Sequence, residues 1–596
     1  MNPSKEQEEK FKKLGIHSVL ELALLIPHSF EDLRLETKLR PNMPQAIDAT
    51  ISSVYRSTNS IQITFFAHNF EHAIQGVVFR PKPYMLHQFQ VGARDFYYGQ
   101  IECKNGSCSM NMPKKVTQAG KVVAQYKTPL RNDVMGRLVK ELVTLENLQS
   151  EGLKTEIAQE LLALHFSAQP SKEFNDDALY ALKYTELYSY MKQLSLKRRY
   201  FASLSTTHND YMPWSKTLPF TLTDEQLHAI EDIKSDFAKD VAAKRMIVGD
   251  VGSGKTMVIL ASAVMMYPHR SLLMAPTTIL ANQLYEEATK FMPHAKVVLV
   301  TNKTKKIDLS EYDFIIGTHA LLYRELPSAA LVMVDEQHRF GTMQRNSLEK
   351  LVTQGERRPH YLQFSATPIP RTLAMIETAH IDVSLITTTP FKKNITSKVI
   401  RKNDFKILLE HIKQEIEKNN QVLLVYPLVE QSDSIEYQSI DEARGYWEKN
   451  FDDVYVTHGK DKEKEEVLLN FREDGKILVA TTVVEVGISL PRLSTVVIVG
   501  AERLGLSTLH QLRGRVSRTG LEGYCYLYTN QEKSSRLEQF VKTTSGFDIA
   551  NLDLKFRKSG DLLKGIQQSG SAFVWVDMSE DSSIVEAVKN DLKIGE

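Results

Sequence analysis

The chain has 596 residues, of which 42% are hydrophobic and 25% charged. That is globular make-up, and it excludes a disordered, collagen-like or low-complexity chain. The length predicts about four domains. Lys and Arg number 74 against 73 Asp and Glu. The balance excludes a globally basic protein but not a local positive groove for nucleic acid.

The first residues, MNPSKEQEEKFKK, carry no apolar run behind a basic start, and no stretch approaches a membrane span. The expectation is a cytoplasmic protein with no membrane partner. Residues 1–45 read as helical, with Phe11, Leu14, Val19, Leu22 and Leu25 on one face and Pro27 ending the run. Residues 46–125 turn to short β-rich runs such as IQITFF (61–66) and DFYYGQIEC (95–103). About five such strands predict a small barrel or sandwich. Asn105-Gly106 is a favoured hairpin centre and sets Cys103 opposite Cys108. Only Cys525 is added to that pair, so a disulfide scaffold is excluded and a reducing compartment expected. No second Cys or His pair lies nearby for zinc, and the two strand cysteines are expected to be reduced.

Residues 127–205 return to helical spacing. Leu179, Leu182, Leu187, Met191 and Leu194 form a stripe, beside Tyr180, Tyr184 and Tyr188. The tyrosines read as a packing ridge rather than a base-stacking ladder. From 206 to 535, buried-strand runs alternate with helical segments. They are RMIVGD (245–250), SLLMAP (271–276), DFIIGTH (313–319), LVMVDE (331–336) and YLQFSAT (361–367). After 390 come QVLLVYP (421–427), DVYVTH (453–458), KILVATT (476–482) and STVVIVG (494–500). The pattern predicts two tandem α/β domains with parallel sheets, divided near Pro390-Phe391-Lys392-Lys393. Residues 536–596 form a tail without a further α/β repeat.

Gly249-Asp250-Val251-Gly252-Ser253-Gly254-Lys255-Thr256 fits G-x-x-x-x-G-K-[ST] between an apolar strand and a helical run. Gly249, Gly252, Ser253 and Gly254 let backbone N–H groups close on phosphate oxygens at a helix N-terminus. Lys255 reaches the β/γ-phosphates and Thr256 ligates Mg²⁺ in such a loop. Asp335-Glu336-Gln337-His338 follows the strand LVMV. An Asp there can hold Mg²⁺, and the adjacent Glu can orient and deprotonate attacking water. Arg515 and Arg518, far along the chain, suit the stabilisation of a transferring phosphoryl group across a domain cleft. Before the loop, LPFTLTDEQ (218–226) offers Phe220 and Gln226 to the nucleotide base. A Gln amide pairs with adenine N6 and N7, which selects ATP.

Together these residues resemble superfamily-2 helicases, and further stretches resemble the RecG family within them. They are Arg339-Phe340-Gly341 after DEQH, Ala275-Pro276-Thr277, Gly317-Thr318-His319-Ala320-Leu321-Leu322, and Ser365-Ala366-Thr367-Pro368-Ile369-Pro370-Arg371. In the second domain they are His458-Gly459, Thr481-Thr482-Val483-Val484-Glu485-Val486-Gly487, and His510-Gln511-Leu512-Arg513-Gly514-Arg515. The resemblance implies a helical segment at 1–45, an OB-fold wedge at 46–150 and a helical linker at 151–205. It implies RecA-like motor domains at 206–390 and 391–535, then a translocation hairpin and tail at 536–596.

It implies an ATP-dependent motor that moves on duplex DNA and remodels stalled forks and branched junctions in recombination and repair. The expected cofactors are ATP and Mg²⁺, and the expected partner is branched or forked DNA. The protein is expected to be a monomer, open to recruitment by single-strand-binding protein. Ser365 and Thr367 would couple hydrolysis to movement. Pro276, Thr277, Thr318, His319, His458, Thr481 and Thr482 would track DNA, with Gln337 and His338 coupling beside them. Gly487 would lie between the ATP and DNA surfaces. Phe79 and Tyr84 would stack on bases at the wedge, and Arg557 and Gln568 would act in the hairpin. Ser517 and Ser489 depart from the family's usual Gly and Asp, and the hairpin departs near Arg557-Lys558-Ser559-Gly560 and Gln567. Another superfamily-2 motor such as an RNA helicase, or an ATP-gated junction clamp, are the rival readings.

Overall fold

The computed structural model describes residues 4–57, 59–104, 106–167, 174–336, 340, 348, 352–353, 355–366, 370–390, 394–428, 437–459, 461–481, 490–517, 520–564 and 573–593. The side chains of Tyr84, Leu86, Arg371 and 557–564 are outside the description. The chain divides into two compact units, Met1–Ser189 and Tyr190–Glu596.

The first unit opens with the helices Lys5–Leu14 and Val19–Ala23. Ser4 and Gln7 form a capping box at the start of the first, and Gly15 ends it in the left-handed conformation at φ 71°. Five strands then close on themselves. Met43–Arg56 pairs with Ser60–Ala67, which pairs with His72–Phe79, which pairs in parallel with Ser107–Asn111. Ser107–Asn111 pairs with Arg94–Lys104, which returns to Met43–Arg56. This is a small closed barrel of OB type. Alternation builds its core: Ile61, Ile63, Phe65 and Ala67 all point inward from one strand.

Cys103 and Cys108 lie directly opposite each other across strands, as the hairpin register predicts. They are joined as a disulfide, correcting the expected reduced pair. A direct cross-strand register with Cα atoms 4.1 Å apart puts both sulfurs on one side of the ribbon. The barrel strands end by Val116, so residues 46–150 also contain the helices Asn132–Leu142 and Leu145–Ser150. Within the helix Asp176–Ser195, Tyr184 and Tyr188 are buried, with neighbouring tyrosine rings 6.0 and 5.9 Å apart. These two pack as expected of a ridge, while Tyr180 is exposed.

The second unit holds two parallel sheets among its described residues. The first runs Val297–Val300, Phe314–Gly317, Ser271–Met274, Leu331–Val334, His360–Ser365, Lys244–Gly249, Asp382–Ile386. The second runs Ile395–Ile400, Gly523–Tyr528, Leu493–Val499, Gln421–Val425, Ile477–Ala480, Val454–Thr457. Central strands such as Ser271–Met274 and Ile477–Ala480 are buried throughout. Such strands, covered on both faces, read as continuous apolar runs.

Four strands were not predicted: Val297–Val300, Asp382–Ile386, Ile395–Ile400 and Gly523–Tyr528. Three lie at sheet edges and the fourth is next to one. Asp382–Ile386 and Ile395–Ile400 are interrupted by polar residues, whereas Val297–Val300 and Gly523–Tyr528 carry apolar runs that the sequence reading passed over. The edge strand Asp382–Ile386 is held by charge as well. Arg245 reaches Asp236 at 2.7 Å and Ser384 at 2.9 Å, while Arg198 reaches Asp382 at 2.6 Å. After the second sheet come the helices Ser535–Lys542, Gly546–Lys564 and Ser582–Asp591. Among the described residues no helix is long and apolar enough to cross a membrane.

Candidate functional site

The predicted site residues gather at the carboxyl ends of the parallel strands, where open α/β sheets bind ligands. Gly249 ends one strand, Pro276 and Thr277 follow another, and Thr318 and His319 a third. Asp335 and Glu336 follow Val334, and Ser365 ends its own strand. In the second sheet His458 follows Thr457 and Thr481 follows Ala480.

The loop 249–254 turns tightly into the helix Lys255–Met266. Gly252 and Gly254 take φ of 78° and 77°, conformations that favour glycine. A Cβ on Gly249 would lie 2.4 Å from Ser253 Oγ, so the cradle admits no side chain there. Ser253 Oγ is itself buried with no hydrogen-bond partner. Lys255 Nζ donates to the carbonyls of Gly249 at 2.8 Å and Asp250 at 3.1 Å. An ammonium folded over the loop and an orphaned hydroxyl at a helix N-terminus fit a polyphosphate.

Gln226 is buried, and its amide is committed to this loop. Nε2 donates to the Ser253 carbonyl at 2.8 Å, and Oε1 accepts from Thr223 N–H at 2.8 Å. The amide here braces the loop and caps its own helix. Phe220 is partly exposed, edge-on to Phe291. The neighbouring Glu225 accepts from Thr387 Oγ1 at 2.6 Å and Thr388 N–H at 2.7 Å. Sequence reading passed over this clamp, which joins the base-motif helix to the segment leaving the first sheet.

Asp335 is buried. Burial first, and then the adjacent Glu336, hold its carboxyl well above the usual range, while Lys255 pulls it down. A buried acid within electrostatic reach of Lys255, and a Thr256 hydroxyl in the first turn of the loop's helix, are oxygen donors of the kind a hard cation such as Mg²⁺ takes at phosphate sites. Glu336 stands at φ 49°, an uncommon conformation for a side-chain-bearing residue. Its Oε2 accepts from Ala366 N–H at 3.3 Å, linking it to the Ser365-Ala366 strand end. Ser365 and Thr318 are buried, while His319 is exposed. Thr277 and Thr318 each cap the following helix through their own hydroxyls.

The second sheet reaches the loop through the helix Leu506–Arg513 and the residues after it. A Cβ on Gly514 would lie 2.7 Å from Val251 Cγ1, so Gly514 packs directly on the phosphate loop. That packing brings the segment carrying buried Arg515 against the loop. His510 donates from Nε2 to Asp250 Oδ1 at 2.6 Å. Burial pushes the Asp250 carboxyl up, but His510 and the N–H groups of Gly546 and Val251 lower it to about 2. Sequence reading missed both Asp250 and His510, although both stand inside quoted motifs. Ser517 takes φ 62° where the family usually has Gly, and its Oγ donates to the Leu521 carbonyl at 2.6 Å.

Phe79 is 57% exposed at the end of its barrel strand. Gln337, His338, Thr367, Thr482, Gly487, Arg518 and Gln568 lie outside the described residues, as do the side chains of Tyr84 and Arg557.

Residues 223–376 match the DEAD/DEAH box helicase family, and residues 403–520 match the helicase conserved C-terminal domain. The chain is 44% identical over 608 residues to the ATP-dependent DNA helicase RecG of Helicobacter pylori, covering 98% of this chain and 97% of that one. It is 31% identical over 641 residues to RecG of Aquifex aeolicus, covering 95% and 80%. A solved structure of RecG bound to a three-way DNA junction matches with TM-score 0.57 and 26% identity, over 98% of this chain and 84% of that one. With a phosphate loop, a following acidic pair and a second sheet closing on the loop, the chain belongs to the RecG family of ATP-dependent DNA helicases.

Proposed function

We propose that this chain uses ATP hydrolysis to move on duplex DNA and so remodels forked and three-way junctions in recombination and repair. The observation that carries the reading is the phosphate loop packed at Val251 against Gly514, which ends the helix Leu506–Arg513 of the second α/β domain. A site shared by two domains converts nucleotide binding into closure and hydrolysis into opening. The relative solved on a three-way junction supports branched DNA as the partner.

In this reading Gly249, Gly252, Ser253 and Gly254 wrap the phosphates, and Lys255 swings from its loop carbonyls to the β/γ-phosphates. Phe220 borders the base, and Gln226 holds the loop beneath it. Thr256 and Asp335 would hold Mg²⁺, which neutralises phosphate charge. Glu336 orients and deprotonates the attacking water, and Arg515 and Arg518 stabilise the transferring phosphoryl group. Ser365 and Thr367 pass the state of Glu336 onward, with Gln337, His338 and Gly487 beside them. Pro276, Thr277, Thr318, His319, His458, Thr481 and Thr482 contact the DNA backbone from the carboxyl ends of both sheets. Phe79 and Tyr84 stack on bases at the barrel, and Arg557 and Gln568 act in the C-terminal hairpin. The domains follow the boundaries 1–45, 46–150, 151–205, 206–390, 391–535 and 536–596. The protein works as a cytoplasmic monomer recruited by single-strand-binding protein.

The test is ATP hydrolysis without nucleic acid, then with a fork, linear duplex, single-stranded DNA and structured RNA. Strong stimulation by the fork, abolished in Lys255→Ala, is the expected result. Stimulation by RNA but not by forked DNA would overturn the reading.

A further inference from the structure

A closed ring of hydrogen bonds ties the phosphate loop to the start of the C-terminal helices. Asp250 is buried in the loop itself. Its Oδ1 accepts from His510 Nε2 at 2.6 Å, and its Oδ2 accepts from Gly546 N–H at 2.9 Å. Gly546 is the first residue of the helix Gly546–Lys564.

The direction of each bond follows from its donor. A guanidinium can only donate, and Arg513 lies 3.0 Å from His510 Nδ1. That nitrogen therefore accepts, and Nε2 carries the proton toward Asp250. Arg513 also donates to the carbonyls of Phe540, Thr543 and Thr544, and its guanidinium lies over the Phe540 ring at 4.4 Å. Thr543 and Thr544 belong to the short turn before Gly546, so the ring runs from Asp250 through His510, Arg513 and this turn back to Asp250.

A separate apolar contact binds the same helix end. Phe547 packs with Met246 and Val248 on the strand that feeds the loop. The helix start is thus held on the strand entering the loop and on the loop itself.

A carboxylate inside an anion-binding loop works against phosphate binding unless its charge is engaged elsewhere. Here each oxygen accepts from a group outside the first sheet, with Val251 N–H of the loop also donating to Oδ1 at 2.6 Å. We propose that Asp250 and His510 are positioning residues that make the phosphate loop and the helix Gly546–Lys564 move together, so that a nucleotide-driven shift of the loop reaches the C-terminal helices. The inference rests on the reading of the chain as an ATP-driven DNA motor.

The experiment measures, on the full chain, ATP hydrolysis with and without forks, and base pairs unwound per ATP. His510→Ala removes the donor to Asp250. His510→Gln returns an amide N–H close to the position of Nε2. His510→Ala is expected to keep DNA-independent hydrolysis within about twofold but to lose about tenfold in unwinding per ATP. His510→Gln should recover most of that loss, and Asp250→Asn should reproduce it. The double variant Asp250→Asn with His510→Ala should be no worse than either single change. If His510→Ala does not fold, Asp250→Asn, which keeps size and one acceptor oxygen, carries the expected loss in unwinding per ATP alone. Unchanged unwinding per ATP, no recovery in His510→Gln, or additive losses in the double variant overturn the tie. A parent chain that hydrolyses ATP without responding to forks overturns the functional reading instead.

Discussion

Gly254 and Gln226 illustrate how single residues set the loop. A Cβ on Gly254 would lie 2.2 Å from Gln226 Nε2, and Gly254 stands at φ 77°. The amide therefore needs the bare backbone beside it to reach the Ser253 carbonyl. Removing a buried donor leaves that carbonyl unsatisfied, at a cost of about 1–3 kcal/mol. Gln226→Ala is expected to weaken ATP binding about tenfold, read by nucleotide titration of the folded protein. Two buried histidines make a second residue-scale prediction. Ala243 N–H donates to His360 Nδ1 at 3.1 Å, and His360 Nε2 donates to the Ser205 carbonyl at 2.8 Å. His165 Nε2 likewise donates to the Ala23 carbonyl at 2.9 Å, with Tyr126 donating to Nδ1 at 3.0 Å. Both rings are neutral by this pattern, and burial holds both below the ordinary histidine value of 6.5. Unfolding lets them take up a proton. Their stabilising contribution is present above pH 6.5 and is lost as pH falls through the lowered folded values. Each contributes a slope of at most about 1.4 kcal/mol per pH unit. Thermal unfolding scanned downward from neutral pH should show a falling midpoint, and His360→Gln together with His165→Gln should flatten it.

At the scale of elements, the turn after the helix Leu506–Arg513 carries the cost of an L side chain in a left-handed position. Ser517 stands at φ 62°, and its hydroxyl bond to Leu521 offsets the strain. Ser517→Gly removes strain and bond together, so it should be neutral within about 0.5 kcal/mol. Ser517→Ala keeps the strain and loses the bond, and should cost about 1 kcal/mol. Equal losses in denaturant titrations of the two variants would contradict this account. The helix Lys255–Met266 is the converse case: it is buried along nearly its whole length, so its apolar run was plain in the sequence. The strands Asp382–Ile386 and Ile395–Ile400 were not, because Asp382 and Ser384 interrupt the first and Thr396, Ser397 and Lys398 the second. Their pairing is decided by the neighbouring strand and by anchors such as Arg245.

Across the whole molecule, the barrel and the motor sheets answer to different tests. Phe79 offers an exposed ring at a strand end. A base stacked on an aromatic ring is worth about 1–3 kcal/mol. Phe79→Ala is therefore expected to weaken fork binding and unwinding by about tenfold or more while leaving ATP hydrolysis on linear duplex unchanged. Equal loss on forks and linear duplex would assign the ring to barrel stability.

The sequence alone determined the phosphate loop, the acidic pair and two tandem parallel sheets. Each is written in neighbouring residues, as glycines at fixed spacing or as unbroken apolar runs demanded by burial on both faces. Tertiary structure decided the bonding of Cys103 to Cys108, the turning of Gln226 onto the loop and the left-handed seat of Ser517. It also decided the partners of Asp250, which stand 260 and 296 residues further along the chain. No local pattern encodes such a pairing. It arises when two separately folded sheets pack, and a buried carboxylate takes whichever donors that packing brings within reach.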